Sequence, residues 1–189
     1  LYLIAKERNL DEKKHSSISL IRKIEASALK KPDLLIQDTA EYVKWFQKEY
    51  GVQPDRFKLV PTGADDRIFK PISTSKQDEG YFHVLYYGTF IPNHGVMKIV
   101  KAAQQLIDEK EIVFDMIGDG PEKGRAEEFV RANGLKNVHF NDWMDQEKLV
   151  QAINDADVCL GAFGDTPQSL MTVQNKIYEC MAMGKAVIT

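Results

Sequence analysis

Apolar positions along this chain alternate between two periods. Between residues 82 and 160, short apolar runs at 82–87, 112–117, 137–140 and 158–160 predict strands. Between them, apolar residues return every three or four positions. Val96, Ile99, Val100, Ala103, Leu106 and Ile107 share one helical face, 122–133 predicts a helix stopped by Gly134, and 146–154 predicts another. Upstream, Ile18, Ile21, Ile24, Ala28 and Leu29 predict an amphipathic helix over 17–30, closed by Pro32. A short strand at 34–36 follows. Asp38 or Thr39 then caps a helix that carries Tyr42, Val43, Phe46 and Tyr50 on one face and stops at Gly51, and a strand runs over 57–60. Residues 1–16 are mixed, charged and without a period. Strands alternating with helices predict an α/β fold, a Rossmann-like parallel sheet with helices on both faces.

The polar, turn-rich stretch at 70–80 predicts a linker. The expected organisation is a first domain at 1–70, a linker at 71–80 and a second Rossmann-like domain at 81–189. In such sheets ligands bind beyond the carboxyl ends of the strands, which directs attention to the loops at 88–95, 118–124 and 161–175.

The stretch 171–189 predicts a loop, a short helix ended by Gly184 and a buried strand at 186–188. A helix N-terminus offers unpaired N–H groups and the positive end of a dipole, so it can hold an anion. Lys176 adds a positive charge there, and Glu179 lies three residues on, near the same face. Cation and carboxylate together suit a ligand with phosphate and hydroxyl groups. Alone, the same two residues also fit an ordinary surface ion pair. The first loop, 88–95, is framed by Gly88 and Gly95, and its His94 could donate to a phosphate oxygen or be an exposed loop histidine. The second loop carries Gly118-Asp119-Gly120-Pro121. It misses the glycine spacing of dinucleotide binders, although Asp142 stands about where a ribose-binding acid would be.

Composition narrows the classes. The net charge of −3 gives no support for nucleic-acid binding. Cys159 and Cys180 sit in apolar settings and read as buried thiols of a reducing compartment. No apolar run is long enough to span a membrane. His15, His83, His94 and His139 do not cluster in sequence, and neither a P-loop nor a nucleophile elbow is present. The chain begins at Leu1 and stops directly after a strand, so a fragment of a longer protein is expected.

The segments YYGTFIPNHGV, FDMIGDGPE, VHFNDWM, ADVCL and NKIYECMAMGKAVI, in this order, resemble the C-terminal half of the family 4 retaining glycosyltransferases, which have the GT-B fold. The stretch from PDLLIQDTAEYVKW to PTGADDRIFKP resembles the end of that family's N-terminal half, so the likeness covers roughly residues 30 to 189. It implies two Rossmann-like domains, a nucleotide-diphosphate sugar (UDP- or GDP-linked) as donor substrate, no cofactor or metal, and transfer with retention. The acceptor would be a sugar, glycan or lipid-linked molecule. The implied location is cytoplasmic, with a peripheral membrane contact made through an N-terminal half that the sequence lacks. Carried over by position, Glu179 would hold the ribose, the amides of Asn175 and Lys176 the diphosphate, and Val173 and Gln174 the donor sugar. Trp143 and Met144 would lie near the base, and Gly88, Thr89 and Gly118 in the loops that approach the phosphates. His94 and Lys176 would act on the leaving group.

Two departures stand out. Met171 occupies the position of the family's first acid, with Asp165 as a candidate substitute. Thr89 and His94 stand where the family has a phosphate-binding Arg and Lys, and Lys176 could restore the lost charge. Alternative readings are a sugar-nucleotide epimerase of GT-B-like fold and a non-catalytic nucleotide-binding or interaction domain. The 189 residues alone are expected to show little or no turnover.

Overall fold

The computed structural model describes residues 1–7, 15–72 and 80–189. Most of the linker expected at 71–80 lies outside the described residues. Two compact units are present. The first comprises Leu1–Thr62 with Thr166–Val173, and the second Gly63–Asp165 with Gln174–Thr189.

The first unit contains α1 (Tyr2–Glu7), α2 (His15–Ala28), β1 (Leu35–Gln37), α3 (Ala40–Tyr50) and β2 (Phe57–Leu59). The two strands pair in parallel. Thr39 caps α3 by accepting from the Tyr42 amide, and Gly51 ends it at φ 68°, a conformation that costs glycine little. Segment 166–173 joins this unit through side chains: Thr39 Oγ1 donates to the Met171 carbonyl at 2.7 Å, and the Tyr42 and Thr172 hydroxyls lie 3.1 Å apart.

The second unit contains β3 (Phe82–Tyr87), α4 (Val96–Gln105), β4 (Ile112–Ile117), α5 (Lys123–Ala132), β5 (Val138–Asn141), α6 (Gln146–Asp155), β6 (Val158–Leu160), α7 (Asn175–Ala182) and β7 (Ala186–Ile188). Its sheet is fully parallel in the order β5-β4-β3-β6-β7. Side chains on alternate strand positions enter opposite cores. Val84, Tyr86, Phe114 and Met116 pack with Val96, Ile99, Val100 and Ala126 of α4 and α5. Leu85, Tyr87 and Ile117 pack on the other face with Ile153 and Cys180 of α6 and α7. Ala64, Ile68, Phe69 and Ile72 add to this second core, so the unit begins ahead of the expected linker.

Strand order reverses between β3 and β6, which makes a topological switch point. Ligands of such sheets bind outside the carboxyl edge at this point, and here the loops that leave the two strands meet, the Phe163 amide donating to the His94 carbonyl at 3.0 Å. α7 starts at the far end of the loop that leaves β6. It ends in a paired cap: the Lys185 amide reaches the Cys180 carbonyl (3.0 Å) and the Gly184 amide that of Met181 (2.9 Å), with Gly184 at φ 74°. The ammonium of Lys185 donates to the carbonyls of Asn154 and Ala156, closing the C-terminal end of α6. No described helix is long and apolar enough to cross a membrane.

Candidate functional site

The site forms where β3 ends. Tyr86 and Tyr87 are the last two residues of the strand, so their side chains go to opposite faces of the sheet. Both are buried, at 0% and 5% exposure, and each phenol needs a hydrogen-bond partner. Tyr86 donates to the Thr89 carbonyl at 3.1 Å, and Tyr87 donates to Glu179 Oε2 at 2.6 Å. Burial raises the pKa of both phenols, which keeps them protonated donors.

Lys176 sits in the first turn of α7 and is only 6% exposed. Its Nζ has no hydrogen-bond partner and lies 4.0 Å from the centroid of the Tyr86 ring. It therefore does not form the surface ion pair with Glu179 that the sequence allowed. The ring face offers a weak cation site but accepts no conventional hydrogen bond. Burial pushes the ammonium down to about 7, with Cys180 and Glu179 pulling upward. α7 also opens without a side-chain cap, since Gln174 makes no such bond. An aliphatic cation and the free amides of a helix start thus lie together without a described partner.

Two glycines make room for this arrangement. A Cβ on Gly88 would stand 2.7 Å from Lys176 Nζ, and one on Gly118 would stand 2.1 Å from the Gly88 carbonyl oxygen. The turns after β3 and β4 are in backbone contact, and each needs φ above 130° (141° and 134°), which disfavours any side chain.

His94 is half-buried in a 3-10 turn, Pro92–His94, within the loop after β3. Its Nδ1 lies 2.7 Å from the Thr89 carbonyl oxygen, which can only accept. The neutral ring therefore carries its proton on Nδ1 and leaves Nε2 as an acceptor. Burial, followed by the charge of Lys176, pushes the imidazole down to about 4, against the opposite pull of the Thr89 carbonyl. To donate to a phosphate, as the sequence suggested, His94 must first take up a proton. Thr89 itself is exposed and contributes its carbonyl to this pair.

The remaining predicted residues divide. Gly88, Gly118, His94, Lys176 and Glu179 lie in the second unit, at the ends of its strands and the start of α7. Asn175 is exposed at the start of that helix. Trp143 follows β5 and is 56% exposed, whereas Met144 beside it packs against the core that holds α6. Asp142 is held by Lys123 at 2.6 Å. Asp165, the substitute acid considered above, is exposed and paired with Lys98 at 3.2 Å. Met171 and Val173 belong to the first unit, and Gln174 to the second. No group of three or more potential metal-ligating side chains occurs among the described residues. In sequence, Tyr86 and Tyr87 stand out only as apolar positions of a strand. The available signal was that two adjacent phenols ending a buried strand must each find an acceptor.

The chain matches the family profile described as Glycosyl transferases group 1 over residues 81–189. None of the curated protein sequences matches it significantly. Among solved structures it is similar to sucrose-phosphate synthase from Thermosynechococcus elongatus (20% identity, TM-score 0.74), over 99% of this chain and 47% of that one. It is also similar to WaaG, a glycosyltransferase involved in lipopolysaccharide biosynthesis (20% identity, TM-score 0.73, 96% and 52% covered). A third is HepE from Anabaena in complex with UDP and glucose (18% identity, TM-score 0.71, 88% and 46% covered). The chain spans about half the length of these proteins, and the shared α/β fold is that of the GT-B glycosyltransferases.

Proposed function

Because the chain belongs to the group 1 glycosyl transferases, we propose that it carries the donor-binding part of an enzyme that moves a sugar from a UDP- or GDP-linked donor to an acceptor. The observation that supports this most is the buried Nζ of Lys176, unpartnered at the opening of α7. A charged group is kept there at a cost in stability, which a bound anion would offset. HepE, solved with UDP and glucose, offers an analogy of fold.

In this reading the diphosphate lies across the switch point. Amides of Asn175 and Lys176 and the Lys176 ammonium face its oxygens. Gly88 lets backbone approach, Trp143 offers a ring face to the base, and Glu179 accepts from the ribose. Val173 and Gln174 lead into α7 on the donor-sugar side. When the bond between the anomeric carbon and the phosphate oxygen breaks, the electron pair passes to the diphosphate. Lys176 then stabilises that charge in a water-poor site, where a fixed cation acts most strongly. This makes Lys176 the replacement for the cations absent at Thr89 and His94. The Nε2 of His94 is suited to accept from a sugar hydroxyl. Retention of configuration, action without a metal, and a cytoplasmic location with peripheral membrane contact belong to the same proposal.

The test is calorimetry and thermal unfolding of the protein that contains this chain, with UDP and GDP. One of the two should bind and raise the Tm, and Lys176→Met should remove the effect. Absence of binding by every nucleoside diphosphate would overturn the reading.

A further inference from the structure

Glu179 lies in the second turn of α7, where a glutamate ordinarily samples several rotamers. Here one carboxylate oxygen is fixed. Tyr87, from the end of β3, donates to Oε2 at 2.6 Å, within the range of charge-assisted O–H···O⁻ bonds. The Tyr87 oxygen also lies 3.3 Å from the Lys176 carbonyl, and the Cys180 thiol approaches it at 3.7 Å. A phenol buried for packing alone would be satisfied by that carbonyl. The shorter contact goes to the carboxylate instead. The phenol is 5% exposed, the last residue of a strand, and held between core side chains, so it cannot follow Glu179 into other rotamers. Oε1 is left without a described partner.

We propose that Tyr87 is a positioning residue for the nucleotide: it holds the Glu179 carboxylate so that Oε1 and the free lone pair of Oε2 meet the two hydroxyls of a ribose. This rests on the donor-site reading above. A preorganised acceptor removes the cost of ordering the glutamate on binding, and that gain is felt only by ligands with hydroxyls to donate. A ligand without them gains nothing from Tyr87.

The experiment compares UDP and GDP with their 2′,3′-dideoxy counterparts on the full-length protein and on Tyr87→Phe, which keeps the ring and removes only the hydroxyl. The wild type should prefer the ribo form of whichever nucleotide binds by about tenfold or more, and Tyr87→Phe should erase most of that preference while leaving dideoxy affinity unchanged. In a Glu179→Ala background, Tyr87→Phe should have no further effect on the ratio. A Tyr87→Phe protein that folds and keeps the full ribo preference overturns the proposal. A wild type that binds both forms equally overturns the assignment of Glu179 to the ribose, and this proposal with it. Failure of all four nucleotides to bind overturns the donor site itself. If Tyr87→Phe does not fold, the Glu179→Gln protein decides. Tyr87 still fixes the amide oxygen, so part of the ribo preference must survive there, and its complete loss counts against positioning by Tyr87.

Discussion

The Nζ of Lys176 lies 2.7 Å from where a Cβ on Gly88 would stand. The ammonium fills the space that the glycine leaves, above the Tyr86 ring and with no hydrogen-bond partner. Such a residue should cost the ligand-free protein stability. Lys176→Met keeps a flexible chain of similar length and removes the buried charge. It is expected to stabilise the ligand-free protein by about 1–3 kcal/mol, less whatever the ring face contributed, while abolishing the rise in Tm with nucleoside diphosphate. Paired denaturation curves, with and without UDP or GDP, check both signs.

Affinity should depend on pH through the same group. Burial holds free Lys176 down to about 7. A bound diphosphate favours the charged form and raises its pKa, so binding takes up a proton. Affinity is full below pH 7 and falls above it, by up to about tenfold per unit until the bound-state pKa is reached. Ligand-free stability runs the other way, rising from pH 7 toward the unfolded lysine value of 10.5. Calorimetry in buffers of different ionisation enthalpy counts the protons, and Lys176→Met should flatten the rise of ligand-free stability with pH.

His94 should remain neutral, with its proton on Nδ1, down to about pH 4. Nitrogen-15 chemical shifts of the ring read this directly. Because the folded pKa lies below the unfolded 6.5, the contribution of His94 to stability is complete above 6.5 and declines as pH falls from there to about 4. A ring that titrates near 6.5 would contradict its burial beside Lys176, and one protonated on Nε2 would contradict the geometry at Thr89.

The two glycine turns should differ in what they tolerate. Gly118→Ala drives a methyl into the Gly88 carbonyl, which is backbone and cannot yield, and it should cost about 3 kcal/mol or more. Gly88→Ala meets the movable end of Lys176, so only the strained backbone counts, about 1–3 kcal/mol. Gly88→Ala should nevertheless lose nucleotide binding by more than its effect on folding accounts for. Chemical denaturation and calorimetry on the two variants separate these effects.

Lys185→Ala removes the ammonium that closes α6 and should cost about 1 kcal/mol without altering nucleotide affinity. This makes it a control for changes that reach the site only through stability.

Periodicity delivered the strands and helices of the second unit to within a residue or two, because a sheet buried on both faces writes itself as apolar runs. The stops at Gly51 and Gly184, and the cap narrowed to Asp38 or Thr39, were legible because each side chain or φ acts on its own neighbours. Strand order was not, since nothing local reports that β3 lies between β4 and β6. The site was half legible. Lys176 and Glu179 stood out by spacing and by resemblance. Their environment did not, because the burial of Lys176 depends on Tyr86 and Gly88, nearly ninety residues earlier in the chain. Met144 and Trp143 show the same limit: adjacent in sequence, one goes to the core and the other to solvent.

The contact between Lys176 and Gly88 also bears on how this site could be rebuilt. The cation is anchored in a helix braced by its own cap and by the core it shares with α6, not in the loop after β3. Exposed positions of that loop, such as Thr89 and Pro92, can therefore be exchanged without discarding the site's positive charge, whereas Phe90 is fully buried in the core and must stay. Position 88 is constrained differently. Whatever is grafted there and whatever stands at 176 share one small volume, and must be chosen as a pair.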